Sequence, residues 1–188
     1  MPSLSLRNHE HGKPIGCVEG GDLQGSNLWL YEHGSKRNRI DLPPDSHFVV
    51  EPSHDNDSRD LLFVAGPSGS GKSTFIKQFS SRYHKLWPDR LIVLISKLQD
   101  DSTLDSLDFI KRIRVDSLLE KKLELEELDH SLLLIDDVEG LPKDQSVAVQ
   151  ELVDLVCNQG RHYSISMIYV SHLLTDYKRT RNLLHECM

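Results

Sequence analysis

LLFVAGPSGSGKST, residues 61–74, is an apolar run that breaks into a glycine-rich loop. Five consecutive apolar residues bounded by turn formers read as a strand buried on both faces. Beyond the loop, Phe75, Ile76, Phe79 and Tyr83 mark one face of a helix. Between strand and helix, Gly66-x-x-x-x-Gly71-Lys72-Ser73 is a complete phosphate-binding loop. Its glycines let backbone amides turn inward around phosphate oxygens, helped by the positive end of the helix that starts there. The cradle comprises Gly66, Pro67, Ser68, Gly69, Ser70, Gly71, Lys72, Ser73 and Thr74. Lys72 is expected to reach the β- and γ-phosphates of ATP, and Ser73 to coordinate Mg²⁺. The loop alone does not say whether the phosphate is transferred, hydrolysed or only held.

Outward from this loop the chain alternates strands and helices. RLIVLIS (90–96), SLLLI (131–135) and SISMIYV (164–170) are further strands. SLLE at 117–120 has the capping-box pattern and predicts a charged helix running to about Leu128. Val149, Leu152, Val153 and Val156 are spaced for a helix face, with Gly160 as its stop. A last helix is expected over YKRTRNLLHE (177–186). This alternation predicts an α/β fold with a mostly parallel sheet covered by helices on both faces. Residues 1–51 read as a small β-rich segment, with NLWLY and HFVVE as strands, 52–60 as a linker, and 61–188 as the phosphate-binding domain. No strand follows the last helix, so the domain is expected to lack its C-terminal strand.

LLLIDDVEG (132–140) is the second anchor. An apolar strand ending in an acid assigns Asp136 to Mg²⁺, through water. Asp137 stands where a carboxylate can polarise an attacking water. The acid pair favours hydrolysis over transfer to a bound acceptor. Ser171 and His172, at the tip of the 164–170 strand, are candidates to sense the γ-phosphate or the lytic water. Arg161, Arg179 and Arg181 are candidate arginine fingers, a role often supplied by a neighbouring subunit.

The bulk composition bounds the partners. The chain has 188 residues, 38% hydrophobic, a mean hydropathy of −0.41 and a net charge of −7. That describes a soluble, intracellular protein with no membrane span. Cys17, Cys157 and Cys187 are scattered and odd in number, implying neither disulfides nor a zinc site. The early HEH (9–11) lacks ligand spacing, so Mg²⁺ is the one metal expected. KRNR (36–39), KRIR (111–114) and KRTR (178–181) hold nine of the 22 Lys and Arg. Each reads either as a solvated turn or as a local contact to phosphates, which overall acidity does not forbid.

GPSGSGKST, LLLIDD, NQGRHYSISMIYVSH and KRTRNLLHE, in that order, resemble the packaging-type ATPases of large DNA viruses, poxvirus-type members of the FtsK–HerA group. The resemblance covers roughly residues 61–187. It implies an additional-strand, RecA/FtsK-like P-loop fold, in which the 164–170 strand separates the P-loop strand from the strand ending at Asp136. It further implies a ring of identical subunits that couples ATP hydrolysis to movement of double-stranded DNA into a capsid. Capsid or assembly proteins would be its partners, and a virion or virus assembly site its location. GPSGSGKST is also similar to the loop of guanylate-kinase-like enzymes. A nucleotide or small-molecule kinase therefore remains an alternative, as does a nucleotide-binding assembly protein that hydrolyses little.

Overall fold

The structure is a computed structural model that describes residues 3–7, 12–31, 40–174 and 177–187, apart from the side chains of 177–179. KRNR and HEH therefore lie outside the described residues, as do the side chains of Lys178 and Arg179. The chain divides into two compact units, Met1–Ser53 and His54–Met188.

The first unit is an antiparallel sheet of β1 (Ser3–Ser5), β2 (Lys13–Glu19), β3 (Asn27–Tyr31) and β4 (His47–Val50), in the order β1-β3-β2-β4. Val18, Leu28 and Val49 are its buried apolar side chains. Gly16 in β2 leaves no room for a side chain: a Cβ there would lie 2.1 Å from the Val49 carbonyl oxygen of β4.

The second unit holds β5 (Leu61–Ala65), α1 (Lys72–Leu86), β6 (Ile92–Ser96), β7 (Ile110–Arg114), α2 (Ser117–Glu120), β8 (Leu132–Asp136), α3 (Lys143–Gln159), β9 (Ser166–Ser171) and α4 (Tyr177–Glu186). The five strands form a parallel sheet in the order β5-β9-β8-β6-β7. As expected, β9 separates the P-loop strand β5 from β8.

Strand parity sorts the core into two layers. Ile92, Leu94, Leu132, Leu134 and Ile168 face α1, packing on Ile76, Phe79 and Tyr83. Val93, Ile95, Leu133, Ile135 and Met167 point the other way, onto Leu118 of α2, Val149, Val153 and Val156 of α3 and Leu183 of α4. Successive residues of β6 and β8 are thus buried on opposite faces, which is why both strands read as uninterrupted apolar runs.

Two sequence expectations need correction. The helix expected to run from Ser117 to about Leu128 is a single turn: Lys121 is already extended, and a separate 3₁₀ turn spans Leu125–Leu128. Residues 120–127 contain six charged side chains, so a continuous helix there would have little apolar surface to bury. The capping box forms instead at Glu124 and Glu127 and starts the second turn. KRIR is neither a turn nor a loop but most of β7, an edge strand whose charges blunt its open side. As expected, Gly160 ends α3; it does so in right-handed geometry (φ −59°) and starts the 3₁₀ turn Gly160–Tyr163. The left-handed residue is Ser164 (φ 48°). Space at Gly160 is tight: a Cβ there would lie 3.1 Å from Val156 Cγ1 and 3.2 Å from the Arg59 guanidinium.

Candidate nucleotide-binding site

In a parallel sheet every strand carries its C-terminal end to the same rim, and the loops leaving that rim form the site. Here β5 delivers the P-loop, β8 delivers Asp136 and Asp137, β9 delivers Ser171 and His172, and β6 delivers Lys97. A cavity of about 320 Å³ opens among them, lined by Ser68, Gly69, Gly71, Lys72, Ser73, Thr74, Leu98, Asp101, Asp136, Asp137 and His172.

The P-loop is shaped by its glycines. Gly69 (φ 76°) and Gly71 (φ 89°) adopt left-handed geometry, and a Cβ on either would meet nothing within 4 Å. They are needed for backbone conformation and leave the cradle open. Gly66 leaves room for the Ser70 side chain, since a Cβ there would lie 2.7 Å from Ser70 Oγ and 3.3 Å from its Cβ. The Ser70 amide donates to the Pro67 carbonyl (3.2 Å) and the Gly66 amide to the Ser171 carbonyl (3.1 Å), tying the loop's start to β9. Gly66, Pro67 and Ser70 thus shape the loop, while the other six cradle residues line the cavity.

Lys72 Nζ donates to the carbonyls of Gly66 (2.8 Å) and Pro67 (3.0 Å) and lies 3.3 Å from His172 Nδ1. An ammonium can only donate, so in this contact His172 Nδ1 is placed to accept. Nε2 lies 3.6 Å from Asp137 Oδ1. His172 therefore spans the gap between the P-loop lysine and the acid after β8. Lys97 Nζ stands 3.5 Å from the same Asp137 oxygen. Asp137 adopts φ 55°, a left-handed geometry that Asp tolerates better than most residues and that turns the chain at the end of β8.

Asp136 is buried at the end of β8. Burial, then the Asp137 and Asp101 carboxylates, push its carboxyl up to about 6. The donor set of Ser73 and Asp136, with Asp137 beside it, is hard oxygen in a cavity next to the cradle, and this fits Mg²⁺. Asp137, Glu139 and His172 also bring one ligand-type atom each within 4.8 Å of one another.

The structure does not bring every candidate to this rim. Ser171 is buried outside the cavity lining, and its hydroxyl accepts from the Leu173 amide (3.0 Å). Arg161 lies in the 3₁₀ turn before β9, at the opposite end of the sheet. Six residues of strand put it roughly 16 Å or more from the rim, so it does not serve the site of its own chain. Arg181 is an exposed residue of α4, and the Arg179 side chain lies outside the described residues. Lys97, Asp101 and Glu139 went unread in the sequence. The usable signal was position: each lies within five residues of the C-terminal end of β6 or β8.

Together, the five-stranded parallel sheet and the loop–acid pairing at its rim define a P-loop ATPase-type domain. The cytoplasmic domain of EssC shares the architecture (TM-score 0.50, 17% identity), covering 92% of this chain and 34% of that one. So does the pCW3 conjugation coupling protein TcpA, solved as a monomer with ATPγS (TM-score 0.51, 13% identity, 92% of this chain and 63% of that one). The present chain thus corresponds to only part of each. Uncharacterized protein V3 of Sputnik virophage is 31% identical over 187 residues, 97% of this chain and 75% of V3, and the chain belongs to the V3 family. No family model matches it. No helix among the described residues is long and apolar enough to cross a membrane.

Proposed function

We propose that this domain binds and hydrolyses ATP with Mg²⁺, and that it couples hydrolysis to movement of double-stranded DNA. One observation carries the hydrolytic reading: Lys72, Ser73, Asp136, Asp137 and His172, from three separate strand ends, converge on one cavity beside an open amide cradle. Lys72 exchanges its Gly66 and Pro67 carbonyls for β- and γ-phosphate oxygens, while the cradle amides hold the chain of phosphates. Ser73 and Asp136 would hold Mg²⁺, which when bound neutralises charge on the phosphates. Asp137 orients a water towards the γ-phosphorus and accepts its proton. His172, in contact with Lys72 and near Asp137, reports whether the γ-phosphate is present. Arg161, Arg179 and Arg181 remain candidates to act on a neighbouring subunit's site.

The DNA part rests on the GRHYSISMIYVSH and KRTRNLLHE resemblance and on kinship with a virophage protein. It is supported further by a shared fold with a conjugation coupling protein. Steady-state ATP hydrolysis with and without double-stranded DNA tests both parts. Slow basal turnover should rise with DNA and vanish in Lys72→Ala. Asp137→Asn should retain ATP binding but lose hydrolysis by roughly a hundredfold or more. Phosphate appearing on a small acceptor instead of in water would refute the motor reading in favour of a kinase. ATP binding with negligible turnover, with or without DNA, would favour an assembly protein.

A further inference from the structure

Glu139 plays no part in the steps above, yet it ties together three of the loops that form the site. It follows β8 by three residues, just beyond the left-handed turn at Asp137. Its carboxylate Oε1 accepts the backbone N–H of His172 (2.8 Å), linking the exit of β8 to that of β9. Its main-chain carbonyl accepts from Lys97 Nζ (2.8 Å), linking the same loop to the exit of β6. The register of β8 against β9 runs from Leu132↔Ser166 to Ile135↔Tyr169. The Glu139–His172 bond thus continues the strand-to-strand connection past the last backbone pair. Both partners of Glu139 then converge on one atom, Asp137 Oδ1, with Lys97 at 3.5 Å and His172 at 3.6 Å. Burial works to raise the Glu139 carboxyl, but the hydrogen bond from the His172 amide, helped by the nearby Ser171 hydroxyl, outweighs it and holds the group below its ordinary range.

We infer that Glu139 is a positioning residue: its side chain fixes the backbone of His172 so that the ring bridges Lys72 and Asp137. This rests on the ATPase reading and assigns that site its γ-phosphate linkage. When Lys72 turns to phosphate, His172 Nδ1 loses its donor while Glu139 still holds the His172 backbone. The ring then responds by rotation, without the loop moving, and the nucleotide state of Lys72 is passed to the acid that directs water. Lys97, anchored by the Glu139 carbonyl, balances the charge on the same Asp137 oxygen.

The test uses the full chain, with Glu139→Ala and Glu139→Gln compared in ATP turnover, KM and backbone amide exchange. Glutamine keeps an oxygen that accepts the His172 N–H but carries no charge. Expected for Glu139→Ala is a kcat reduced roughly ten- to hundredfold with KM within about threefold, because placement is lost and phosphate binding is not. Glu139→Gln should recover most of kcat. Amide exchange at His172 should quicken in the alanine variant and stay slow in the glutamine variant. Combining Glu139→Ala with His172→Ala should cost no more than His172→Ala alone, since one residue acts through the other. A glutamine variant as impaired as alanine would overturn the inference, because the charge and not the hydrogen bond would then matter. So would additive losses in the double variant, unchanged His172 exchange in Glu139→Ala, or wild-type kcat in that variant. If the wild-type chain itself hydrolyses no ATP, the ATPase reading fails and this role goes with it. Active wild type with an unaffected Glu139→Ala refutes the positioning role alone.

Discussion

Replacing Arg59 by alanine should destabilise the ATPase-type unit by about 2–4 kcal/mol, although Arg59 belongs to no helix or strand. Arg59 Nη1 donates to the Val156 carbonyl (2.7 Å), and Nη2 donates to the Cys157 carbonyl (3.0 Å) and to Glu186 Oε2 (3.3 Å). The side chain is only 12% exposed. Burial lowers its pKa and the Glu186 charge opposes that. Two donations to carbonyls in the last turn of α3 are charge-assisted and sit at the negative end of the helix, each contributing roughly 1–2 kcal/mol. Glu186 is 35% exposed, so its ion pair adds less than about 1 kcal/mol. Arg59→Lys supplies one donor centre where the planar fork reaches two carbonyls, and should recover about half of the loss. Glu186→Ala should cost under about 1 kcal/mol. Urea unfolding followed by far-ultraviolet circular dichroism measures all three. A loss below about 0.5 kcal/mol for Arg59→Ala, or full rescue by lysine, would refute the claim that this guanidinium clamps the segment before β5 to the ends of α3 and α4.

Two further outcomes follow from local geometry. Gly71→Ala, at φ 89°, should cost about 1–2 kcal/mol in stability and weaken ATP binding, because the added methyl meets no atom and the whole penalty is backbone conformation. Equal ATP affinity in titrations of that variant and wild type would show that the loop does not hold phosphate in this geometry. Cys157 is 1% exposed, and burial pushes its thiol up to about 12, so at pH 8 iodoacetamide should modify it only as fast as the unit opens. Mass spectrometry of the labelled chain should show faster modification in Arg59→Ala, and rapid labelling of native Cys157 would contradict the packing around α3.

Local sequence was a good guide wherever short-range physics decides the outcome. An apolar run followed by glycines with obligatory left-handed geometry can only be a strand entering a tight loop, so β5 and the P-loop were legible. So were β6, β8 and β9, because strands buried on both faces have no polar positions to disguise them. YKRTRNLLHE was read as a helix and forms one over the same residues. β7 escaped notice because this edge strand carries Lys111, Arg112 and Arg114 among its five residues, and so charged a pattern matches a solvated turn. The stretch after Ser117 failed for the opposite reason: helix-forming charged residues lacked a buried face to hold them as one helix.

Sequence alone therefore determined the glycine loop, the strand-end acids Asp136 and Asp137 and the alternation that makes the sheet parallel, since each depends on neighbours a few residues apart. Which candidates share the site was decided only by tertiary structure. Strand order placed β9 between β5 and β8, and so put His172 against both Lys72 and Asp137. The shared strand direction sent Arg161, which precedes β9, to the far end of the sheet. Glu139 and Lys97 became part of the site because parallel strands discharge their loops at a common rim, bringing residues 97, 139 and 172 together although they lie more than thirty positions apart.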